Sequence, residues 1–143
     1  MKKMIMATFI MASIGVAYAG NFESELIGGD AVTIDYSTKL MWAQDGIAAG
    51  CNNGYTATWH DADAYCKNLT FAGHTDWRLP AANELLSIAS TPEWQYFPNT
   101  RRNWYWADID ASDASSATSV RFVFGFLDDS TANALFVRCV RAD

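Results

Sequence analysis

The chain has 143 residues, half of them hydrophobic, and a formal net charge of −6. Its length suits one compact domain with a sizeable core. The acidic balance excludes nucleic acid and anionic lipid as natural electrostatic partners unless a local basic patch overrides the overall field.

Lys2 and Lys3 precede an apolar run from Met4 to Val16, and Ala17-Tyr18-Ala19 has the small-x-small pattern of a signal-peptidase site. Residues 1–19 are therefore expected to be a secretory signal peptide cleaved after Ala19. The run is short for a membrane span and no later run is longer, so no integral membrane protein is expected. The expected mature domain, residues 20–143, keeps eight basic residues against 16 acidic ones, a net charge of −8. It is read as secreted or periplasmic, with attachment to the cell surface left open. Its three cysteines, Cys51, Cys66 and Cys139, allow one disulfide in an oxidising compartment and leave one thiol over. Spacing alone does not choose the pair. A zinc site is disfavoured: there is no C-x-x-C, and neither His60 nor His74 stands at ligand spacing from a cysteine.

In chain order, Ala31–Ile34 and Leu40–Gln44 read as a β-hairpin around the turn-forming "DYSTK". "DGIAAGCNNGY" reads as a loop. Thr58 to Leu69 reads as a helix, with Thr58 and Asp61 as its capping box. Trp59, Ala62, Cys66 and Leu69 form one buried stripe, which turns Cys66 towards the core. Trp77-Arg78-Leu79 reads as extended and Ala82–Ala89 as a second, shorter helix begun by Pro80. Trp104-Tyr105-Trp106 reads as a strand, and "DIDASDASSATS" as a polar loop. Val120–Phe126 and Ala134–Val140 are expected to form a terminal hairpin around "DDSTAN". A hairpin, two helices and then several strands place the chain in the α+β class.

The stretches "KLMWAQ", "TWHDADAYCKNL", "AGHTDWRLPAANELLSI", "YWAD" and "FVRCVRAD" occur in the order found in one bacterial family. Over roughly residues 31–143 the chain resembles the Lcl C-terminal domain family, named after the last domain of a collagen-like adhesin. The resemblance implies a C-type-lectin-like fold, two helices with a curved, mostly antiparallel sheet and long loops. It also implies an extracellular recognition role in adhesion, through carbohydrate binding for the founding adhesin. Because Cys66 and Cys139 sit in two of the family stretches, the resemblance pairs them. Cys51–Cys66 is the alternative bridge. The founding adhesin favours sulfated glycans, whereas this chain is acidic. The family's Trp-Ser-Ser-Thr stretch is Trp106-Ala107-Asp108-Ile109 here.

Two constellations stand out. In "FAGHTDWRLP", Asp76, Trp77 and Arg78 are read as a structural clasp, with Trp77 buried and Arg78 paired to Asp76 or Glu84. In "PNTRRNWYW", Arg101 and Arg102 form the one adjacent basic pair of the expected mature chain. Trp104, Tyr105 and Trp106 cannot all face one way along a strand. The ligand surface is therefore placed between Pro98 and Asp113, on Asn99, Arg101, Arg102, Trp104, Asp108 and Asp110. Asp108, Asp110 and Asp113 are also a weak calcium candidate. The EF-hand pattern fails, because Asp113 stands where the loop needs glycine and Ser119 where it needs glutamate. No cofactor is expected. No G-x-S-x-G, H-E-x-x-H or Gly-rich phosphate loop is present, so a non-catalytic binder of an extracellular glycan or surface protein is expected. The alternatives are a structural subunit of a surface assembly and a thiol-dependent modifying enzyme. Both would use Cys51.

Overall fold

The structure, a computed structural model, describes residues 4–6, 21–89, 94–108, 119–122, 126–128 and 134–143. In chain order its elements are β1 (Met4–Met6), β2 (Phe22–Ile27), β3 (Asp30–Asp35), β4 (Leu40–Ala43), α1 (Trp59–Asn68), α2 (Ala82–Ala89), β5 (Trp104–Trp106), β6 (Ser119–Arg121), β7 (Phe126–Asp128) and β8 (Val140–Ala142). Two 3₁₀ stretches lie between elements, Ala49–Gly54 between β4 and α1 and Trp94–Tyr96 between α2 and β5. The class is α+β. Among the described residues no helix is long and apolar enough to cross a membrane.

The larger sheet has the order β1-β2-β3-β4-β8, and each neighbouring pair is antiparallel. The β2–β3 turn has only two residues, Gly28 and Gly29, both at positive φ. A two-residue hairpin of that hand needs left-handed backbone at both positions, which glycine supplies without steric cost. At the β3–β4 turn, Asp35 accepts hydrogen bonds from the Ser37 amide and from the Ser37 and Thr38 hydroxyls. The expected opening hairpin is therefore present, extended to Asp30–Asp35 and closed one residue earlier at Ala43. It gains an outer strand, β2. In the uncut chain Met4–Met6 also adds to this edge.

The smaller sheet, β5-β6-β7, corrects the expected terminal hairpin. Ser119–Arg121 pairs with Trp104–Trp106 on one side and Phe126–Asp128 on the other. The 134–140 segment goes elsewhere: Leu135 bridges to Ala57, Phe136 to Tyr105, and Val140 begins β8 against Trp42. The apolar run after Ser119 folds back on itself, so its partner is local. The tail is left to complete the sheet begun by the opening hairpin.

Two cores explain this routing. β4 and the tail are buried on both faces, and successive residues alternate between the two cores. Met41, Ala43, Val137 and Cys139 join α1 residues Ala62 and Cys66 with Trp77, Leu79 and Trp106 on one side. Leu40, Trp42 and Val140 join α2 residues Leu85, Ile88 and Ala89 with Tyr96, Phe97, Tyr105 and Phe122 on the other. Thr58 caps α1, its hydroxyl accepting from the Asp61 amide at 3.3 Å. The stripe of α1 packs as the periodicity implies, with Ala62 and Cys66 fully buried and Trp59, Tyr65 and Leu69 partly so. Cys66 and Cys139 form the disulfide, 73 residues apart in sequence.

Candidate functional site

The segment around Asp76, Trp77 and Arg78 is fastened at each residue. Trp77 is 2% exposed, its indole N–H donates to Phe71 O at 2.9 Å, and its ring meets that of Phe71 edge-on. Arg78 exchanges two backbone hydrogen bonds with Val140. Its guanidinium takes Glu84 in a two-pronged pair, Nη1–Oε1 2.7 Å and Nη2–Oε2 2.9 Å. Glu84 Oε1 also accepts from the Ala81 amide at 2.7 Å, which satisfies a free donor at the start of α2. Asp76 pairs with Arg141 instead of Arg78, Oδ1 accepting from Nε at 2.6 Å. The segment thus locks the start of α2 to the tail strand.

Burial alone would push the Glu84 carboxyl up. The Arg78 hydrogen bonds, the Ala81 amide and the Arg78 charge outweigh it and hold the group below the usual glutamate range. Glu84 therefore gives up its proton more readily folded than unfolded. Its contribution to stability is full above the ordinary glutamate pKa of about 4.3 and disappears as pH falls through the lower folded value. Melting temperatures between pH 7 and pH 3 should fall on the acid side, and Glu84→Gln should start lower and fall less. An acid limb of equal depth in both proteins would assign it to other carboxylates. Asp76, likewise held low by its hydrogen bond to Arg141, supplies part of the remainder, discounted because it is well exposed.

The Pro98–Trp104 segment is held against the loop after β4. Gly46 N–H donates to Pro98 O at 2.9 Å. A Cβ at Gly46 would lie 2.3 Å from Asn99 O, so the two backbones can meet only with glycine there. Asn99, at positive φ, donates its amide to Asp45 Oδ1 at 2.9 Å. The Arg101 amide donates to the Tyr105 hydroxyl, and its guanidinium lies 6.0 Å from the centre of the Phe136 ring. Asn99, Arg101 and Arg102 are exposed on this turn, and Trp104 is half-buried. The other two aromatics are core: Tyr105 belongs to the α2 side and Trp106 to the α1 side, where its indole donates to Ala57 O. Strand alternation here serves two interiors, which leaves only Trp104 for a ligand.

Beneath the turn lies a residue that sequence reasoning passed over. Arg138 is fully buried. Its Nη1 donates to Ala43 O at 2.5 Å and Gln44 O at 2.7 Å, and its Nη2 to the Thr100 hydroxyl at 2.6 Å. The guanidinium sits among the rings of Phe97, Tyr105 and Phe122, between 5.3 and 5.9 Å from their centres. It ties the end of β4 to the Pro98–Trp104 turn. The available signal was alternation: Arg138 shares a face with Val140, opposite Cys139, so it must enter the second core.

The remaining nominated residues are not gathered there. The Asp108 amide donates to Pro80 O at 2.7 Å, and its charge is felt by Arg78 and Lys67, which places it beside the clasp. Asp110 and Asp113 lie outside the described residues, as does most of the polar loop. Among the described residues no three His, Cys, Asp or Glu side chains gather to hold a metal ion. Cys51 is 1% exposed. Burial pushes its thiol up, outweighing the opposing pull of the Arg138 charge, so it stays protonated and shielded.

No curated protein matches the chain. The family model described as the Lcl C-terminal domain matches residues 31–141, which include the clasp, the disulfide and the Pro98–Trp104 turn, and the protein belongs to that family.

Proposed function

We propose that this is an exported, non-catalytic recognition domain that binds an extracellular glycan or surface protein, in the manner of an adhesin, on a C-type-lectin-like scaffold. The observation that carries the reading is the construction of the Pro98–Trp104 turn. Gly46 holds its backbone at Pro98 O, Arg138 and Asp45 hold its Thr100 and Asn99 side chains, and Arg101 and Arg102 stand exposed on it. A surface ordered before binding loses little conformational entropy on contact. Membership of a family named for an adhesin's domain, together with a core disulfide, supports a location outside the cytoplasm. Removal of residues 1–19 as a signal peptide would take β1 away and leave β2 as the sheet edge.

The readings that rely on Cys51 are disfavoured by its burial, since both cross-linking and nucleophilic chemistry need an accessible thiolate. No metal is needed for the proposed binding. The test is an array of glycans and extracellular matrix proteins probed with the disulfide-intact protein and with Arg101→Ala/Arg102→Ala. The double variant should keep its melting temperature and bind its best ligand about tenfold more weakly, as expected for two lost charge-assisted contacts. Unchanged binding would move recognition off this turn.

A further inference from the structure

The larger sheet ends differently on its two sides. On the β8 side Val140 exchanges two backbone hydrogen bonds with Arg78, so the clasp closes that edge. On the other side β2 pairs with Met4–Met6, which belong to the leader expected to be removed. Asn21 O accepts from the Tyr36 amide at 2.8 Å, so in this antiparallel ladder residues 21, 23, 25 and 27 bond inward to β3 and its turn. The N–H and C=O groups of Phe22, Ser24 and Leu26 therefore point outward. Met4 stands opposite Leu26 and Met6 opposite Ser24, at these bonded positions, while Ile5 stands opposite Glu25.

Strand β2 is held in place without β1. All six of its residues pair with β3. The Phe22 ring lies 5.6 Å from those of Tyr96 and Phe97, and the Ser24 hydroxyl accepts from the Gln44 side-chain amide at 2.7 Å. Natural sheet edges are blunted by proline, lysine, a bulge or shortness. β2 has none of these: "FESELI" is six residues long and its register with β3 runs unbroken. Its one blunting device is its pair of carboxylates, and they act against a particular partner. Two antiparallel copies of β2 can bond only where outward residues meet outward residues. Centred on Ser24, that pairing sets Glu23 opposite Glu25 on both sides. Recentred on a neighbouring residue, it sets Glu23 against Glu23 or Glu25 against Glu25. Like charges directly opposite are destabilising, so a second copy of this chain is a poor occupant.

We infer that the β2 edge of the exported domain takes up an extended segment of another protein as an added antiparallel strand, apolar or basic opposite Glu23 and Glu25. The outward groups of Phe22, Ser24 and Leu26 hold the backbone of that segment, and the two carboxylates select its sequence. The Met-Ile-Met stretch seated on this edge has the extended shape and apolar character the site accepts. A sugar offers no ladder of alternating donors and acceptors at strand spacing, so the occupant is a peptide. This occupancy requires the leader to be gone, as read above, and is independent of what the arginine turn binds.

The test uses the exported, disulfide-intact protein, its amino terminus read by mass spectrometry, and a synthetic peptide of residues 1–10 as the probe strand. The peptide should bind, and amide exchange at Ser24 and Leu26 should slow. A peptide N-methylated at Met6, which loses a ladder donor, should bind at least about tenfold more weakly. N-methylation at Ile5, whose N–H faces away, should change binding by less than about threefold. A peptide carrying Ile5→Glu should bind about fivefold more weakly than one carrying Ile5→Lys. All four peptides keep Lys2 and Lys3, so simple attraction to an acidic domain would leave them indistinguishable and overturn the inference. No binding by any peptide overturns it too, as does equal binding of the glutamate and lysine forms. A dimer in sedimentation that Ser24→Pro dissolves would put a second copy on the edge instead. An exported protein that retains residues 4–6 would have no open edge, which sinks the inference through its leader. None of these results touches Arg101 and Arg102, whose glycan and matrix array stands as a separate test.

Discussion

Replacing Cys66 and Cys139 together by serine is expected to lower the melting temperature by about 10–20 °C. The bridge closes a loop whose ends are 73 residues apart. Chain-entropy reasoning assigns such a loop about 4–5 kcal/mol, and measured values are often smaller. The bridge is not the tail's only anchor. Arg78 and Val140 exchange backbone hydrogen bonds, and Asp76 holds Arg141. The reduced protein should therefore remain folded at low temperature and unfold early on heating. Single serine variants are poorer tests, because each frees a thiol in the same core cluster as Cys51. Calorimetric scans of wild type, Cys51→Ala and the double serine variant make the comparison. A midpoint that moves by less than about 2 °C in the double variant would show that the remaining contacts suffice to hold the tail.

Arg138→Ala is expected to be about as damaging, near 3–5 kcal/mol in urea denaturation, because it strands buried acceptors and opens a cavity. Ala43 O, Gln44 O and the Thr100 hydroxyl all lose their donor at once. Arg138→Lys should recover only part of the loss. A single ammonium cannot reach the β4 carbonyls and Thr100 together while its stem fills the space among three rings. If lysine restored wild-type stability, the charge alone would matter and the forked geometry would not. Both variants should also loosen the Pro98–Trp104 turn, seen as faster amide exchange at Gly46, which bonds to Pro98 O.

The two helices were legible because each has a local stripe: Ala62 and Cys66 on α1, Leu85 and Ile88 on α2, with Thr58 as a readable cap. The opening hairpin was legible from its turn chemistry. β2 was not, because "FESELI" misleads. Glu25 and Ile27 are its buried residues, while Phe22 and Leu26 are only partly covered. A carboxylate turned inward reverses the pattern on which strand reading depends. The tail was misplaced for a different reason. Its partners, Ala57, Tyr105 and Trp42, lie far away in sequence, and nothing in 134–140 names them. Of the nominated ligand residues, Asn99, Arg101 and Arg102 share one turn, with half-buried Trp104 beside it. Asp108 is separated from them because the chain passes through the core at Tyr105, Trp106 and Ala107.

Strand β8 has a temporal consequence. Its three residues leave a ribosome about a hundred positions after Leu40–Trp42, against which they lie. A chain growing from its amino end can form α1 and the opening hairpin early, but it cannot seal either interior until Val137, Cys139 and Val140 have emerged. Up to that moment it remains loose enough to be threaded through a narrow channel. Both interiors close only when that late strand is there to pair.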